Sequence, residues 1–339
     1  MWQTQELETI TKQRLIKERG EAEGEEKFAL YLTARKKLLE DVLEEIKAAE
    51  PALTDHGPKH IANVLQNAQR LLGDGVEDLS STELYCLILS ILFHDVGNIF
   101  GRNGHQLNIG EVYNHVRQPD ASHRQEQLVL LQIVGAHCGE APDKTRDTLR
   151  FLESSHLDGL PVNLRDIAAI LRFADELAEG IQRTSLFMER IHRYPAKCDI
   201  YHQYARITQV LIDKGAERIA LTYHPTIEVN REGVLQNDAA LREILQFTYR
   251  RIQKLNEERK YNKHYCRYLD PFKQVSAVFE FWANGQPRGL GLRPLVLTDL
   301  VIPGDVQKEI PAYDPSYAID EVITRLRRAL SEGRERPTT

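Results

Sequence analysis

Cysteine is scarce in this sequence. There are four, Cys86, Cys138, Cys198 and Cys266, and none falls in a C-x-x-C pair. Such spacing implies neither a zinc ribbon nor a disulfide framework, so a reducing, cytoplasmic setting is the expectation. Positive charge is also short: across 339 residues, 44 Lys and Arg stand against 50 Asp and Glu, for a net charge of −6. A chain dominated by nucleic-acid binding would be basic, so any such contact is expected to be local. Long apolar runs are missing too. The longest, residues 84–93, is interrupted by Ser90 and falls short of the roughly 20 residues a spanning helix needs. Residues 1–20 mix charged residues with scattered apolar ones, unlike a signal or transit peptide. No membrane association is expected. No internal repeat or low-complexity segment is evident.

What is present is helical periodicity. Residues 27–49 carry Phe28, Leu32, Leu38, Leu39, Val42, Leu43 and Ile46 on one face. Pro51 ends that helix, and Thr54 or Asp55 is the expected cap of the next, with Pro58 in its first turn. Ile61, Val64, Leu65, Ala68, Leu71 and Leu72 form its buried stripe, stopped by Gly73 and Gly75. Residues 82–93 read as a buried helix, 97–104 as a loop, and 105–116, 125–133 and 163–177 as further helices. Beyond about residue 200 the pattern changes. Residues 205–212 and 218–229 alternate and are β-branched, a hairpin turning at Asp213-Lys214-Gly215. Residues 241–255 read as a helix, 274–282 and 294–302 as strands, and 318–330 as a last helix. The expected fold is mainly α: N-terminal helices (1–50), a helical bundle (51–195), a small α+β subdomain (196–305), then a C-terminal helix and polar tail (306–339).

Within the helical part, His94 and Asp95 follow an apolar helix and precede Gly97. A buried imidazole and carboxylate need partners, or their desolvation is costly. Asp175 sits in an otherwise apolar helix, and His60 lies beside an apolar stripe. A divalent cation is one partner that satisfies all four, and the cores of helical bundles are where such sites are built.

The order His60, His94-Asp95, Asp175 resembles the HD superfamily of metal-dependent phosphohydrolases. His60-Ile61-Ala62-Asn63-Val64 matches its H-x-x-x-V helix start, His94-Asp95-Val96-Gly97 its namesake doublet, and Ala174-Asp175-Glu176-Leu177 its distal A-D-x-L helix. The resemblance covers about residues 50–185. It implies one or two divalent ions (Mn, Fe, Ni, Co, Zn or Mg), with His105 and His137 as further ligands in a two-metal member. It also implies attack by a metal-bound hydroxide, with Asp95 and His105 as catalytic groups. The GYP segment of the HD-GYP phosphodiesterases is missing. So is the proline- and phenylalanine-bearing stretch of the deoxynucleotide triphosphohydrolases; neither subfamily is implied.

Lys59, Arg102 and Arg183 are candidate phosphate contacts, and His56 is a reserve ligand. The expected substrate is a nucleotide: a deoxynucleoside triphosphate, a nucleoside monophosphate or a cyclic nucleotide. An HD-type nuclease is the alternative, favoured by the basic, tyrosine-bearing residues 250–267. A non-enzymatic metal-binding sensor is the third reading. Homo-oligomerisation through the charged N-terminal helices is a further expectation.

Overall fold

The computed structural model describes residues 2–51, 53–117, 121–190, 194–300 and 308–332. The chain forms two compact units: Met1–Ala178 with Tyr261–Asp270, and Glu179–Lys260 with Pro271–Thr339.

The first unit is a helical bundle. Its helices are α1 (Glu6–Arg19), α2 (Glu21–Asp41), α3 (Leu43–Ala49), α4 (Pro58–Leu72), α5 (Ser81–Phe93), α6 (Ile109–Val116), α7 (Ala121–Gly135) and α8 (Leu164–Glu176). The centre is α5, apolar all round because it is enclosed all round: every residue from Leu84 to Phe93 is buried. The stretch Ser81–Phe100 has the length and hydropathy of a membrane span, but most of it is buried inside the unit. Ser80 and Glu83 form a reciprocal cap at the start of α5, satisfying backbone donors there. Around it, α4, α7 and α8 each pack on α5, and α8 packs on both α4 and α7. The α4 stripe from Ile61 to Leu72 is fully enclosed, and burying each large aliphatic side chain is worth about 1.5–3 kcal/mol. The N-terminal α1 packs on α4 and α5 through Leu7 and Leu15. Its buried Glu8 accepts from Tyr31 at 2.6 Å and pairs with Arg35 at 2.5 Å. Between α5 and α7, buried Glu126 accepts from Tyr85, Tyr113 and Arg117.

Several boundaries differ from the sequence expectation. The 27–49 helix is two helices, broken at Val42 (φ −127°, ψ −56°). The cap of α4 is Gly57, not Thr54 or Asp55, and Pro58 takes its first position, where no amide hydrogen is needed. A short hairpin, β1 (Ser154–Leu157) and β2 (Leu160–Asn163), turns at Asp158-Gly159, both left-handed (φ 54° and 75°).

The second unit is α+β. It holds α9 (Leu186–Arg190), α10 (Ala196–Ile207), most of α11 (Asp238–Tyr265), α12 (Ile310–Tyr313) and α13 (Ile319–Glu332). Strands β3 (Thr208–Asp213), β4 (Arg218–Tyr223), β6 (Gln274–Phe279) and β9 (Leu295–Thr298) form a sheet in the order β3-β4-β6-β9. A second sheet, β5-β7-β8, joins β5 (Thr226–Ile227), β7 (Phe281–Ala283) and β8 (Gln286–Arg288). The expected hairpin is present as antiparallel β3 and β4, ending on the pair Asp213 and Arg218. Residues 205–207, however, belong to α10, which runs until Thr208 turns extended and its hydroxyl bonds back to Tyr204 O at 2.6 Å. The 218–229 strand stops at Tyr223 because Pro225 has no amide hydrogen to continue a ladder. The 274–282 strand likewise divides at Glu280 between the two sheets. The 294–302 strand is the shorter β9, and residues 301 and 302, like the tail 333–339, lie outside the described residues.

Candidate metal centre

The site is assembled from helix ends in the first unit. Pro58 starts α4 so that His60 falls in its first turn, 1% exposed. His94 is the C-cap of α5, and Asp95 follows it out of the helix (φ −112°, ψ 1°). His105 begins a short 3-10 turn after Gly104, and His137 lies in the turn that ends α7. Asp175 lies in the last turn of α8.

Asp95 is the hub. Its Oδ2 atom faces the Nε2 atoms of His94 (3.1 Å), His60 (3.4 Å) and His56 (3.9 Å). Its Oδ1 atom faces His105 Nε2 (3.3 Å), Arg102 (3.7 Å) and His137 Nε2 (4.0 Å), and accepts from Asn98 Nδ2 (3.0 Å). Asp175 Oδ1 closes the first group, 3.1 Å from His60 Nε2 and 3.6 Å from His94 Nε2. The ligand atoms of His60, His94, Asp95 and Asp175 all lie within 4.8 Å of one another.

The far side of the rings fits metal binding. His94 Nδ1 donates to Ile91 O at 2.8 Å and His105 Nδ1 to Arg102 O at 3.1 Å. His137 Nδ1 bonds Val134 O, and His56 Nδ1 bonds Thr54 O. An Nδ1–H held by a carbonyl leaves Nε2 as a lone-pair donor, the tautomer a ligating histidine needs. His60 Nδ1 is buried with no hydrogen-bond partner among the described residues, so its ring is held by its Nε2 contacts.

Burial opposes charge throughout, yet electrostatics wins at most positions. Burial pushes the Asp95 carboxyl up, but the facing His94 and His56 rings hold it well below the usual carboxylate range. Asp175 is depressed in the same way, against its burial, by His60 and His94. Burial opposes protonation of His94 and His105, but Asp95 raises both. His137 is lowered, by burial and then by the charge of His94. A buried nest of imidazole nitrogens and carboxylates, its carboxylates held ionised against their burial, is suited to a divalent cation of the borderline first-row kind.

The structure brings His60, His94, Asp95, Asp175, His105 and His137 into one buried cluster. It adds the reserve ligand His56. Arg102 stands at the edge, 49% exposed, and donates to Asn98 Oδ1 at 3.3 Å. Lys59 is exposed on the first turn of α4. Arg183 lies in the second unit, buried, with its guanidinium 3.9 Å from Glu179. Sequence reasoning missed Asn98 and Cys138. The Cys138 sulfur is 3.7 Å from His105 Nε2, and its one visible signal was its place next to His137.

In the basic segment near residue 260, Arg250, His264 and Arg267 are exposed, but the tyrosine hydroxyls turn toward the rest of the first unit. Tyr261 and Tyr265 both donate to Asp147, at 3.0 and 2.8 Å, and Arg172 sits 4.6 Å over the Tyr261 ring.

No curated protein and no solved structure matches the chain. A family model described as HD-CE matches residues 50–258, more than half the chain and spanning His60, His94, Asp95, His105, His137 and Asp175. With its HD-type cluster buried at the helix ends, the chain belongs to the HD-CE family.

Proposed function

We propose that this protein is a metal-dependent phosphohydrolase that cleaves a phosphate ester or anhydride bond of a nucleotide. The observation that carries this reading is the position of Asp95: each of its oxygens faces a separate set of imidazole Nε2 atoms. A bound divalent ion supplies Lewis acidity toward phosphoryl oxygens and acidifies a water.

The chain's own residues hold and orient. Asp95, Asp175 and the inward Nε2 atoms offer anionic and lone-pair ligands, while the carbonyl-anchored Nδ1 atoms stop the rings from turning away. The donor set is rich in imidazole, which favours Mn, Fe, Co, Ni or Zn over Mg. Arg102 offers a planar fork suited to phosphate oxygens, and its half-exposed side chain leaves room for them. Lys59 adds positive charge beside His60. Asp175 keeps 28% of its side chain exposed, which opens the buried cluster to solvent and substrate.

The inward-packed tyrosines support a nucleotide substrate over a single strand, since stacking on a strand needs open ring faces. The four free thiols fit the reducing, cytoplasmic setting.

The test is metal content together with phosphate release from a nucleotide panel with added Mn, for wild type and Asp95→Ala. Metal binding and release that both vanish in Asp95→Ala support the reading. Bound metal with hydrolysis of oligonucleotides alone moves it to a nuclease. Folded wild-type protein with neither metal nor release overturns it.

A further inference from the structure

Beside the His60 group lies a second set of donors. The ligand atoms of His105, His137 and Cys138 all lie within 4.8 Å of one another. Tetrahedral coordination with bonds of about 2.0–2.3 Å places ligand atoms about 3.3–3.8 Å apart. His105 Nε2 is 3.3 Å from Asp95 Oδ1 and 3.7 Å from Cys138 Sγ, and His137 Nε2 is 4.0 Å from Asp95 Oδ1. These separations are close to those of a coordination shell. A thiol-to-imidazole hydrogen bond accounts for Cys138 with His105. It does not account for His137, whose Nδ1 is turned onto Val134 O while its Nε2 points toward Asp95. Neighbouring side chains in extended backbone point to opposite faces. Here the turn after α7, followed by Gly139 at φ 83°, lets consecutive His137 and Cys138 serve one cluster.

We propose that Cys138 is a metal ligand: with His105, His137 and Asp95 Oδ1 it forms a second, thiolate-containing position for a borderline divalent ion such as Zn. This rests on reading the site as a metal centre, and adds the chemical class of its second ion. Coordination replaces the thiol proton, which leaves to solvent, so the position gains an anionic sulfur. A thiolate among imidazoles selects Zn, Co or Fe over Mg or Mn. The two positions then differ in preference: nitrogen and oxygen donors at His60, His94 and Asp175, and a sulfur donor at the other.

The test is Co(II) titration of the metal-free full chain, read by absorption. Wild type is expected to show visible ligand-field bands and a near-ultraviolet thiolate-to-Co(II) charge-transfer band. Cys138→Ser should lose the charge-transfer band and keep the visible bands; Cys198→Ser should keep both. His105→Ala should also lose the charge-transfer band, which covers the case of a serine variant that fails to fold. Visible bands in wild type without a thiolate band, or a thiolate band that survives in Cys138→Ser, overturns the proposal and leaves the metal centre standing. No cobalt absorption in folded wild type overturns both.

Discussion

The Nε2 atoms of His60 and His94 face each other across 3.3 Å. His94 already donates through Nδ1 to Ile91 O, so its Nε2 is the free end of the ring. At that separation the two nitrogens share either a proton, which the raised basicity of His94 allows, or a cation lying against both. A metal ion shared by these rings and by Asp175 is the arrangement we expect. His94→Ala should weaken metal retention at this position by at least about 100-fold, while His105→Ala should leave it in place. Metal per chain after dialysis checks this; equal retention by the two variants would count against the two-group arrangement.

Gly97 serves the second group rather than the first. A Cβ built there would fall 1.9 Å from His105 O, a backbone atom that no rotamer change can move. Gly97→Ala should therefore displace His105 and cost about 1–3 kcal/mol of stability. The variant should keep metal at the His60 group and lose the cobalt-thiolate band. Urea melts and the Co(II) titration test it, and an unchanged band would refute the link.

Asp158 gives a pH dependence with a definite sign. Burial raises its carboxyl, but Lys27 at 2.8 Å and Arg19 at 3.0 Å hold it below the usual value. A group depressed in the folded state stabilises above its unfolded pKa, about 3.9. That contribution is lost as pH falls through the lower folded value. Asp158 is 36% exposed, so the pairs contribute under about 1 kcal/mol. Asparagine tolerates the left-handed φ of 54° and isolates the charge. Asp158→Asn should be less stable at pH 7 in urea melts, and the gap should close as pH falls through the folded value. A gap that persists in acid would mean the loss is not electrostatic.

Arg259 is the most deeply buried cation described in the second unit. Its side chain is fully enclosed, donates to Phe272 O at 2.8 Å and to Asn256 Oδ1 at 2.8 Å, and pairs with Asp299 at 2.7 Å. Arg259→Met strands those acceptors. Since Asp299 keeps 39% of its side chain in solvent, the low end of the range for a broken buried pair applies, about 3 kcal/mol. Denaturant unfolding measures it; a loss under about 1 kcal/mol would mean that the neighbours re-pair.

The parts of this molecule that sequence reading reached are those where a polar residue ends an apolar stripe. His60, His94, Asp95 and Asp175 each sit at such a place, because a bundle core collects helix ends. Cys138 was out of reach, since its partner His105 lies 33 positions earlier and joins it only through the turn after α7. Arg102 stood out as a charge in a glycine-rich loop, but its contact with Asn98 depends on the 3-10 turn Val96–Phe100. The hairpins at Asp158-Gly159 and Asn284-Gly285 carry left-handed turn residues, yet their strands of three or four residues are too short for alternation to register. The limits of α10 were lost for a different reason: its last residue, Ile207, is β-branched and runs straight into the β-branched residues of β3, so Ala205–Ile207 read as the start of the strand.

The first unit is discontinuous along the chain. It is made of Met1–Ala178 and then Tyr261–Asp270. That returning stretch supplies Tyr261 and Tyr265 to Asp147, and Tyr261 also accepts the ring contact from Arg172, one turn of α8 before Asp175. During synthesis the ribosome releases every ligand of the metal centre well before it releases this stretch. The nascent bundle thus waits, with Asp147 and Arg172 lacking their aromatic neighbours, while residues 179–260 emerge. A fragment ending at Ala178 would carry His60, His94, Asp95, His105, His137 and Asp175 on an incomplete scaffold, because the first unit is completed only by Tyr261–Asp270.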